Sequence, residues 1–186
     1  MSQRIAINLR NGDTLFYLEQ LAEETPLSNF SCSIAEYNDY LIEDSLRSQN
    51  DHIALTWLLR ERKDGTIVAY MSLIADAIKL SLSEKELHGL NYPFKTLPAM
   101  KIGKLAVCES AQKKYKGIGS YMIDSALALA RACNRQLFAC RFITVDADIE
   151  HDEGLLAFYR KNGFTENEEL YNKNRKTVSM RKDIYS

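Results

Sequence analysis

Short apolar segments alternate with amphipathic segments along this chain, and the alternation predicts a mixed α/β protein. The apolar residues 52–60 and 66–74 flank the turn sequence Lys63-Asp64-Gly65, which predicts an antiparallel hairpin. The same kind of pattern predicts further strands at residues 5–9, 99–107, 137–145 and 176–182.

Helical spacing of apolar residues predicts helices at positions 15–21, 33–49, 117–133 and 153–162, with a short helix or turn at 83–87. In the longest of these, the less polar positions fall on one stripe: Ile118, Met122, Ser125, Ala126, Leu129 and Cys133. Asp124, Arg131 and Arg135 fall on the opposite side. This helix is therefore expected to pack by its stripe and to leave its first turn open to solvent or to a ligand.

Composition restricts the class of protein. The chain has 186 residues, 46% hydrophobic and 26% charged, which predicts one globular domain spanning residues 1–186. A net charge of -1 excludes a globally basic protein that coats nucleic acid, but it allows a local basic patch. No apolar run approaches the roughly 18 residues of a membrane span, and no signal-peptide core begins the chain, so we expect a cytoplasmic protein without membrane contact.

The cysteines and histidines do not predict a metal site. The four cysteines are widely spaced without a CxxC pair, and the three histidines sit at no metal-ligand spacing. We expect the thiols to be reduced and buried as small apolar side chains.

A glycine pair marks the most informative stretch, which begins the longest predicted helix. There the chain reads Lys113-Lys114-Tyr115-Lys116-Gly117-Ile118-Gly119-Ser120. Glycines let a ligand approach the backbone closely, and the free N–H groups of a first helical turn favour phosphate, as do the neighbouring lysines. The stretch lacks the Walker lysine and the third glycine of a dinucleotide fingerprint. It therefore fits either a diphosphate-binding loop or an ordinary tight turn.

The helix at 153–162 carries a candidate proton donor. Neighbouring helical residues point about 100° apart, so Phe158 is expected in the core and Tyr159 at the edge of a cleft. A phenol in that position can donate a proton. A half-buried tyrosine that only packs is the alternative.

In order and spacing, residues 100–164 resemble the GNAT superfamily of acetyl-CoA-dependent N-acetyltransferases. The matching segments are KIGKLAV, KYKGIGS, YMIDSALALARAC, FITVDAD and LLAFYRKNGF. The resemblance implies an α+β fold whose mostly antiparallel sheet is flanked by helices. It also implies that two central parallel strands, at 99–107 and 137–145, splay apart around the cofactor.

The same resemblance assigns residues to acetyl-CoA, the implied cosubstrate. The backbone of Leu105 and Val107 would bind the pantetheine arm, as would Asp152, which stands where the family often has Asn. The pyrophosphate would lie on the loop residues Lys114, Lys116, Gly117, Ile118, Gly119 and Ser120, where Lys114 replaces the family's Gln or Arg.

A primary amine would attack the thioester directly, with Tyr159 protonating the departing thiolate. Glu109 is the best-placed candidate base and Asp146 the second, although a solvated loop residue is the favoured explanation of each. An α-amino acceptor, with a pKa near 8, needs no base. A module that binds acetyl-CoA without turnover is the alternative function.

A second resemblance concerns the acceptor. Phe30-Ser31-Cys32-Ser33 and Tyr37-Asn38-Asp39-Tyr40-Leu41 resemble the opening of acetyltransferase toxins of bacterial toxin–antitoxin pairs, which acetylate aminoacyl-tRNA. An amphipathic helix packed on the sheet explains the same residues. Candidate acceptors are thus charged tRNA, a small amine or a peptide, and candidate partners are an antitoxin and a second copy of the chain.

Clustered cations add to the tRNA hypothesis. They are Lys173, Arg175, Lys176, Arg181 and Lys182 in the tail, and Arg131, Arg135, Arg141, Arg160 and Lys161 on the elements expected to flank the cleft. Such a stripe can hold an RNA backbone, while lysines that protect a sheet edge are the alternative.

Overall fold

The computed structural model describes residues 15–150, 154–167 and 176–186. The chain divides into two compact units. The first unit comprises Met1–Ile74 and Ile102–Ala128, and the second comprises Ala75–Lys101 and Leu129–Ser186. The single domain over residues 1–186 stays a prediction.

The described residues form a seven-stranded sheet in the order β1-β2-β3-β4-β5-β7-β6. Its strands are β1 (Phe16–Gln20), β2 (Leu55–Glu61), β3 (Ile67–Ile78), β4 (Leu97–Val107), β5 (Phe142–Asp148), β6 (Thr165–Glu166) and β7 (Thr177–Asp183). Antiparallel pairs join β1 to β2, β2 to β3, β5 to β7 and β6 to β7. The predicted α+β class with a mostly antiparallel sheet is confirmed.

The helices of the described residues are α1 (Ala35–Asp39), α2 (Ser45–Asn50), α3 (Leu82–Leu87), α4 (Glu109–Lys114), α5 (Ile118–Gln136) and α6 (Gly154–Lys161). A π-helical turn, Tyr40–Asp44, joins α1 to α2 without a break. The start of α3 is fixed by a capping box, in which the Ser81 hydroxyl accepts from the Glu84 amide and the Glu84 carboxylate accepts from the Ser81 amide.

The predicted hairpin is confirmed as β2 and β3, and it carries one irregularity. Leu59 pairs with Ala69 and Arg60 pairs with Ile67, so Val68 has no register partner on β2. The Val68 carbonyl instead accepts from the Cys108 amide at 2.9 Å, immediately after the end of β4. The bulge on β3 thus lies beside the residue at which β4 ends and α4 begins.

Each unit has its own buried side chains. In the first unit, Leu58, Tyr70, Met71 and Met122 are fully buried. In the second unit, Ile78, Leu80, Leu97, Ala99 and Phe142 form one apolar cluster. The predicted stripe of α5 is confirmed, since all its members are buried except the half-buried Cys133, while Asp124, Arg131 and Arg135 are exposed.

Three sequence predictions about elements were wrong or lie outside the described residues. Within the predicted helix at 15–21, Phe16–Gln20 form strand β1 instead, because pairing with β2 decides between the two periods that so short a segment can fit. Strand β5 begins at Phe142 rather than at 137, since Leu137 and Phe138 are exposed. The predicted strand at 5–9 is outside the described residues.

Candidate active site

The glycine loop lies between two helices of the first unit. Helix α4 ends at Lys114, Tyr115 is extended, and α5 begins at Ile118. Gly117 has φ +84°, a conformation that L side chains rarely adopt, and no heavy atom lies within 4 Å of the position a Cβ would occupy. Glycine is therefore required here by the backbone, and the space over it is open to a ligand.

The first turn of α5 presents unused donors. Within residues 15–150, no protein group accepts from the amides of Ile118, Gly119 or Ser120. The first amide of α5 that has an acceptor in this range is that of Tyr121, which donates to the Gly117 carbonyl at 2.9 Å. Lys113 and Lys116 are exposed beside this turn. The loop thus combines open space, backbone donors and positive charge, which is the chemistry that holds a phosphate.

Lys114 is engaged by a residue that the sequence analysis did not identify. Its Nζ donates to Oε1 of Glu61 at 2.5 Å, and the Tyr115 hydroxyl donates to the same oxygen. These two hydrogen bonds hold the pKa of Glu61 below its ordinary value, and the contacts of Lys114 with Glu61 and then with Tyr115 raise the pKa of Lys114. Because Glu61 is a single acidic residue at a strand end, 53 positions before Lys114, no spacing in the sequence indicates the contact.

The remaining predicted residues of the first unit lie on one continuous segment. Leu105 and Val107 are half-buried on β4, and the Val107 carbonyl accepts from the Gln112 side chain at 3.5 Å. Glu109 is exposed at the start of α4, and its amide donates to the Ser31 carbonyl at 3.0 Å. The predicted pantetheine strand, the candidate base and the glycine loop therefore follow one another along the chain, on β4, α4 and the start of α5.

Tyr159 belongs to the second unit and is only 7% exposed, whereas Phe158 is half-buried. The prediction that Phe158 fills the core and Tyr159 lies at an edge was wrong. Helix α6 ends in a Schellman motif at Gly163, whose φ is +82°. Phe164 donates to the Tyr159 carbonyl at 3.0 Å, and the two rings contact edge to face at 5.3 Å. This apolar contact across the helix end buries the tyrosine.

Two carboxylates predicted from the sequence have different outcomes. Asp146, on β5, forms an ion pair with Lys101 on β4. Asp152 lies outside the described residues. Several described cations of the expected stripe have partners within the protein, and the stripe itself stays a prediction. Arg181 is 4% exposed and pairs with Glu84. Arg141 pairs with Asp183, Arg160 with Glu166 and Lys176 with Glu150, and Lys182 donates to the Asn162 carbonyl. Lys173 and Arg175 are outside the described residues.

The predictions about thiols are confirmed in part. All four cysteines are free, and Cys133 alone among them is not buried. In residues 15–150, 154–167 and 176–186, no three His, Cys, Asp or Glu side chains cluster as metal ligands would. None of the helices in those ranges has the length and apolar character that crossing a bilayer requires.

The chain is similar to several solved structures, while no family model and no curated relative matches it. A structure of AtaT complexed with acetyl-methionyl-tRNAfMet is 19% identical, with a TM-score of 0.72 over 88% of this chain and 93% of that one. A tyrosine-to-phenylalanine mutant of KacT is 17% identical, with a TM-score of 0.70 over 89% and 94%. Such a mutant of the AtaT toxin, bound to the C-terminus of the antitoxin AtaR and to acetyl-CoA, is 18% identical, with a TM-score of 0.67 over 88% and 91%. This chain therefore has the fold of AtaT and KacT, the GNAT fold that its sequence resembles.

Proposed function

We propose that this protein is an acetyl-CoA-dependent N-acetyltransferase that transfers an acetyl group to a primary amine by direct attack. The observation that carries the proposal is the start of α5, where Gly117 at φ +84° leaves open space beside three unused amides. Likeness in fold to AtaT, whose toxin mutant is described with acetyl-CoA bound, supports the choice of cofactor. Acetyl-CoA and amine acceptors meet in the cytoplasm, where we expect the protein to act.

The cofactor is assigned to residues of β4 and the glycine loop. The amides of Ile118, Gly119 and Ser120 bind the diphosphate, and Lys116 adds a cation beside them. The backbone of Leu105 and Val107 pairs with the amides of the pantetheine arm, and Asp152 is a further candidate for that contact.

The reaction forms a C–N bond and breaks the C–S bond of the thioester. The neutral amine attacks the acetyl carbon, and a backbone N–H at the Val107 end of β4 stabilises the oxyanion that develops. Tyr159 gives its proton to the departing thiolate. Since a phenol has a pKa near 10 and a thiol near 8.5, the hydroxyl also serves to orient the leaving sulfur. Glu109 is the candidate to receive the amine proton.

The acceptor that we favour is the α-amino group of an aminoacyl-tRNA. An α-amino group, with a pKa near 8, is partly neutral at pH 7, so it can attack without a strong base. AtaT, which shares the fold, is described in complex with acetyl-methionyl-tRNAfMet, and its mutant with the antitoxin AtaR. We extend the same classes of partner to this chain, a charged tRNA and an antitoxin protein, and we add a second copy of the chain as a further candidate.

Binding of the cofactor is tested by thermal unfolding. Acetyl-CoA at about 100 times its dissociation constant should stabilise the wild type by roughly 2.7 kcal/mol. The Gly119→Asp variant should lose this effect, because its carboxylate would occupy the diphosphate site. A wild-type melting curve that saturating acetyl-CoA leaves unmoved contradicts the cofactor assignment.

Labelled acetyl-CoA tests turnover and the acceptor together. Charged tRNA, free lysine, polyamines and an N-terminal peptide are offered at two salt concentrations. Acetylation of tRNA should fall steeply with salt, because phosphate contacts release counterions, whereas acetylation of a small amine should change little. Acetylation of polyamines or peptides alone contradicts the tRNA assignment, and cofactor binding without any acetylation favours the inactive binding module.

A further inference from the structure

The carboxylate of Glu61 accepts hydrogen bonds from two residues that lie just before Gly117 of the glycine loop. Glu61, the last residue of β2, is 8% exposed, and its register partner on β1 is Phe16. The Tyr115 ring packs edge to face on Phe16 at 5.0 Å, while its hydroxyl donates to Glu61. Lys114 donates to the same carboxylate oxygen, and its Nζ lies 4.7 Å from the centre of the Tyr115 ring. We call these four residues the Glu61 cluster.

The Glu61 cluster contacts the loop on both sides of Gly117. Tyr115 precedes the glycine, and Tyr121, in the first turns of α5, also contacts Phe16, with 6.1 Å between ring centroids. All of these residues belong to the first unit. The backbone between these two tyrosines includes Gly117 and the amides at the start of α5 that have no acceptor among the described residues. The position of those amides is thus tied to β1 and β2 through Phe16 and Glu61.

The Glu61 cluster also changes the role of Lys114. Its ammonium is neutralised by a carboxylate that is nearly buried, and the pair is supported by the Tyr115 hydroxyl. Lys114 is itself exposed, as are Lys113 and Lys116, which lie on either side of Lys114 and Tyr115 along the chain. A phosphate that arrives at the loop meets the backbone amides and these two lysines, whereas the charge of Lys114 is already offset in part by Glu61, so its ammonium attracts the phosphate less strongly.

We propose that Glu61 is a positioning residue for cofactor binding, and that Lys114 acts as the anchor of the glycine loop rather than as a ligand of the diphosphate. Glu61 holds Lys114 and Tyr115, and through them it keeps residues 116–120 in the conformation that receives the diphosphate. This inference rests on the proposed function, because it concerns how the same site binds acetyl-CoA.

The Glu61→Gln variant distinguishes the two roles of Lys114, because each role predicts a different change in the Kd for acetyl-CoA. If Lys114 is the anchor, the loop loosens and the Kd for acetyl-CoA rises by about tenfold, or about 1.4 kcal/mol. If Lys114 is a diphosphate ligand, removing its competing carboxylate leaves the Kd unchanged or lowers it. S-acetylpantetheine, which has no phosphate, should bind the variant and the wild type equally well.

Further variants make the test independent of overall stability. Tyr115→Phe removes only the hydroxyl that reaches Glu61 and should raise the Kd in the same direction. Glu19→Gln is the matched control, because Glu19 is a buried carboxylate on β1 whose ion pair is with Arg60 on β2. It should lower the melting temperature without changing the Kd for acetyl-CoA.

Steady-state kinetics complete the test. In the Glu61→Gln variant, the KM for acetyl-CoA should rise while kcat at saturation stays within about twofold of the wild type. An unchanged or lower KM overturns the role of Glu61 and leaves the proposed function standing. A wild-type chain that binds no acetyl-CoA overturns the proposed function, and this inference fails with it.

Discussion

Arg181 and Glu84 form an ion pair in which Nη1 lies 2.6 Å from Oε1, and both side chains are less than 5% exposed. Arg181 also donates to the Glu166 carbonyl at 2.8 Å and to Asn167 Oδ1 at 3.0 Å. Glu84 accepts from the Ser81 amide within its capping box. Each buried charge therefore has several partners, which a buried ion pair requires if it is to offset its desolvation.

Arg181→Met should destabilise the protein by about 3–5 kcal/mol, because it leaves the Glu84 carboxylate buried without its counter-ion. Urea unfolding measures the effect. Lys176→Met is the control: its ion pair with Glu150 is largely exposed, so the loss should not exceed about 1 kcal/mol. Equal losses of stability in the two variants would show that breaking the buried Arg181–Glu84 pair costs no more than breaking an exposed pair.

Tyr159→Phe should lower turnover by about 10²-fold while leaving the Kd for acetyl-CoA nearly unchanged. The ring keeps its contact with Phe164, and only the hydroxyl is lost. Single-turnover rates and a binding titration measure the two quantities separately. The matched control is Tyr185→Phe, a change at a tyrosine of the second unit that is 60% exposed. Parallel losses in binding and turnover would make Tyr159 a packing residue instead.

Gly117→Ala should destabilise the protein by about 1 kcal/mol, because alanine strains at φ +84°. It should also weaken acetyl-CoA binding by moving the loop. Gly89→Ala is a matched control, since Gly89 has φ +62° and equally open space where a Cβ would lie. The control should lose similar stability and bind acetyl-CoA normally. Equal binding by both variants would contradict the assignment of the loop.

The Cys140 thiol predicts a loss of stability at alkaline pH. Burial raises its pKa from 9.0 to about 11. Between these values the unfolded chain loses its thiol proton while the folded chain keeps it, so stability falls as the pH rises from 9 to 11. The decrease should be about 1–2 kcal/mol, allowing for solvent screening. Denaturant titrations below and at the upper end of this interval measure it.

Cys140→Ala should flatten that dependence relative to the wild type. Cys108→Ala serves as the control. Burial by itself raises the pKa of Cys108, but hydrogen bonds from Ser110 and from backbone groups outweigh it, and the pKa lies below its ordinary value. Removing Cys108 should therefore keep the alkaline loss. If Cys140→Ala loses as much stability as the wild type between the two pH values, other groups account for the decline.

Elements with a long or repeated local pattern could be predicted from the sequence. Helix α5 has 19 residues, enough turns for its apolar stripe to be distinct from any strand pattern. The β2–β3 hairpin was predictable because Asp64-Gly65 separates two apolar runs. Strand β1 has only five residues, and a segment so short fits both periods until a neighbouring strand pairs with it.

The candidate site was predictable only where its chemistry is local. Gly117 and the first turn of α5 lie within a few residues of each other, so the sequence alone indicates the turn with open amides and neighbouring lysines that the structure has there. The partner of Lys114 could not be predicted, because Glu61 reaches it through the register of β1 and β2. The burial of Tyr159 depends on how Gly163 folds Phe164 back over the helix end, which the phase of a helix does not reveal.

The π-helical turn between α1 and α2 affects how the length of this chain can vary in evolution. A π turn holds one residue more than an α-helix needs for the same advance. Losing one residue within Tyr40–Asp44 would restore a regular α-helix and leave the flanking helical faces where they are. A deletion inside β2 would instead turn every following side chain of the strand to the opposite face of the sheet. When relatives of this protein are aligned, single-residue gaps should therefore fall in this turn rather than in the strands.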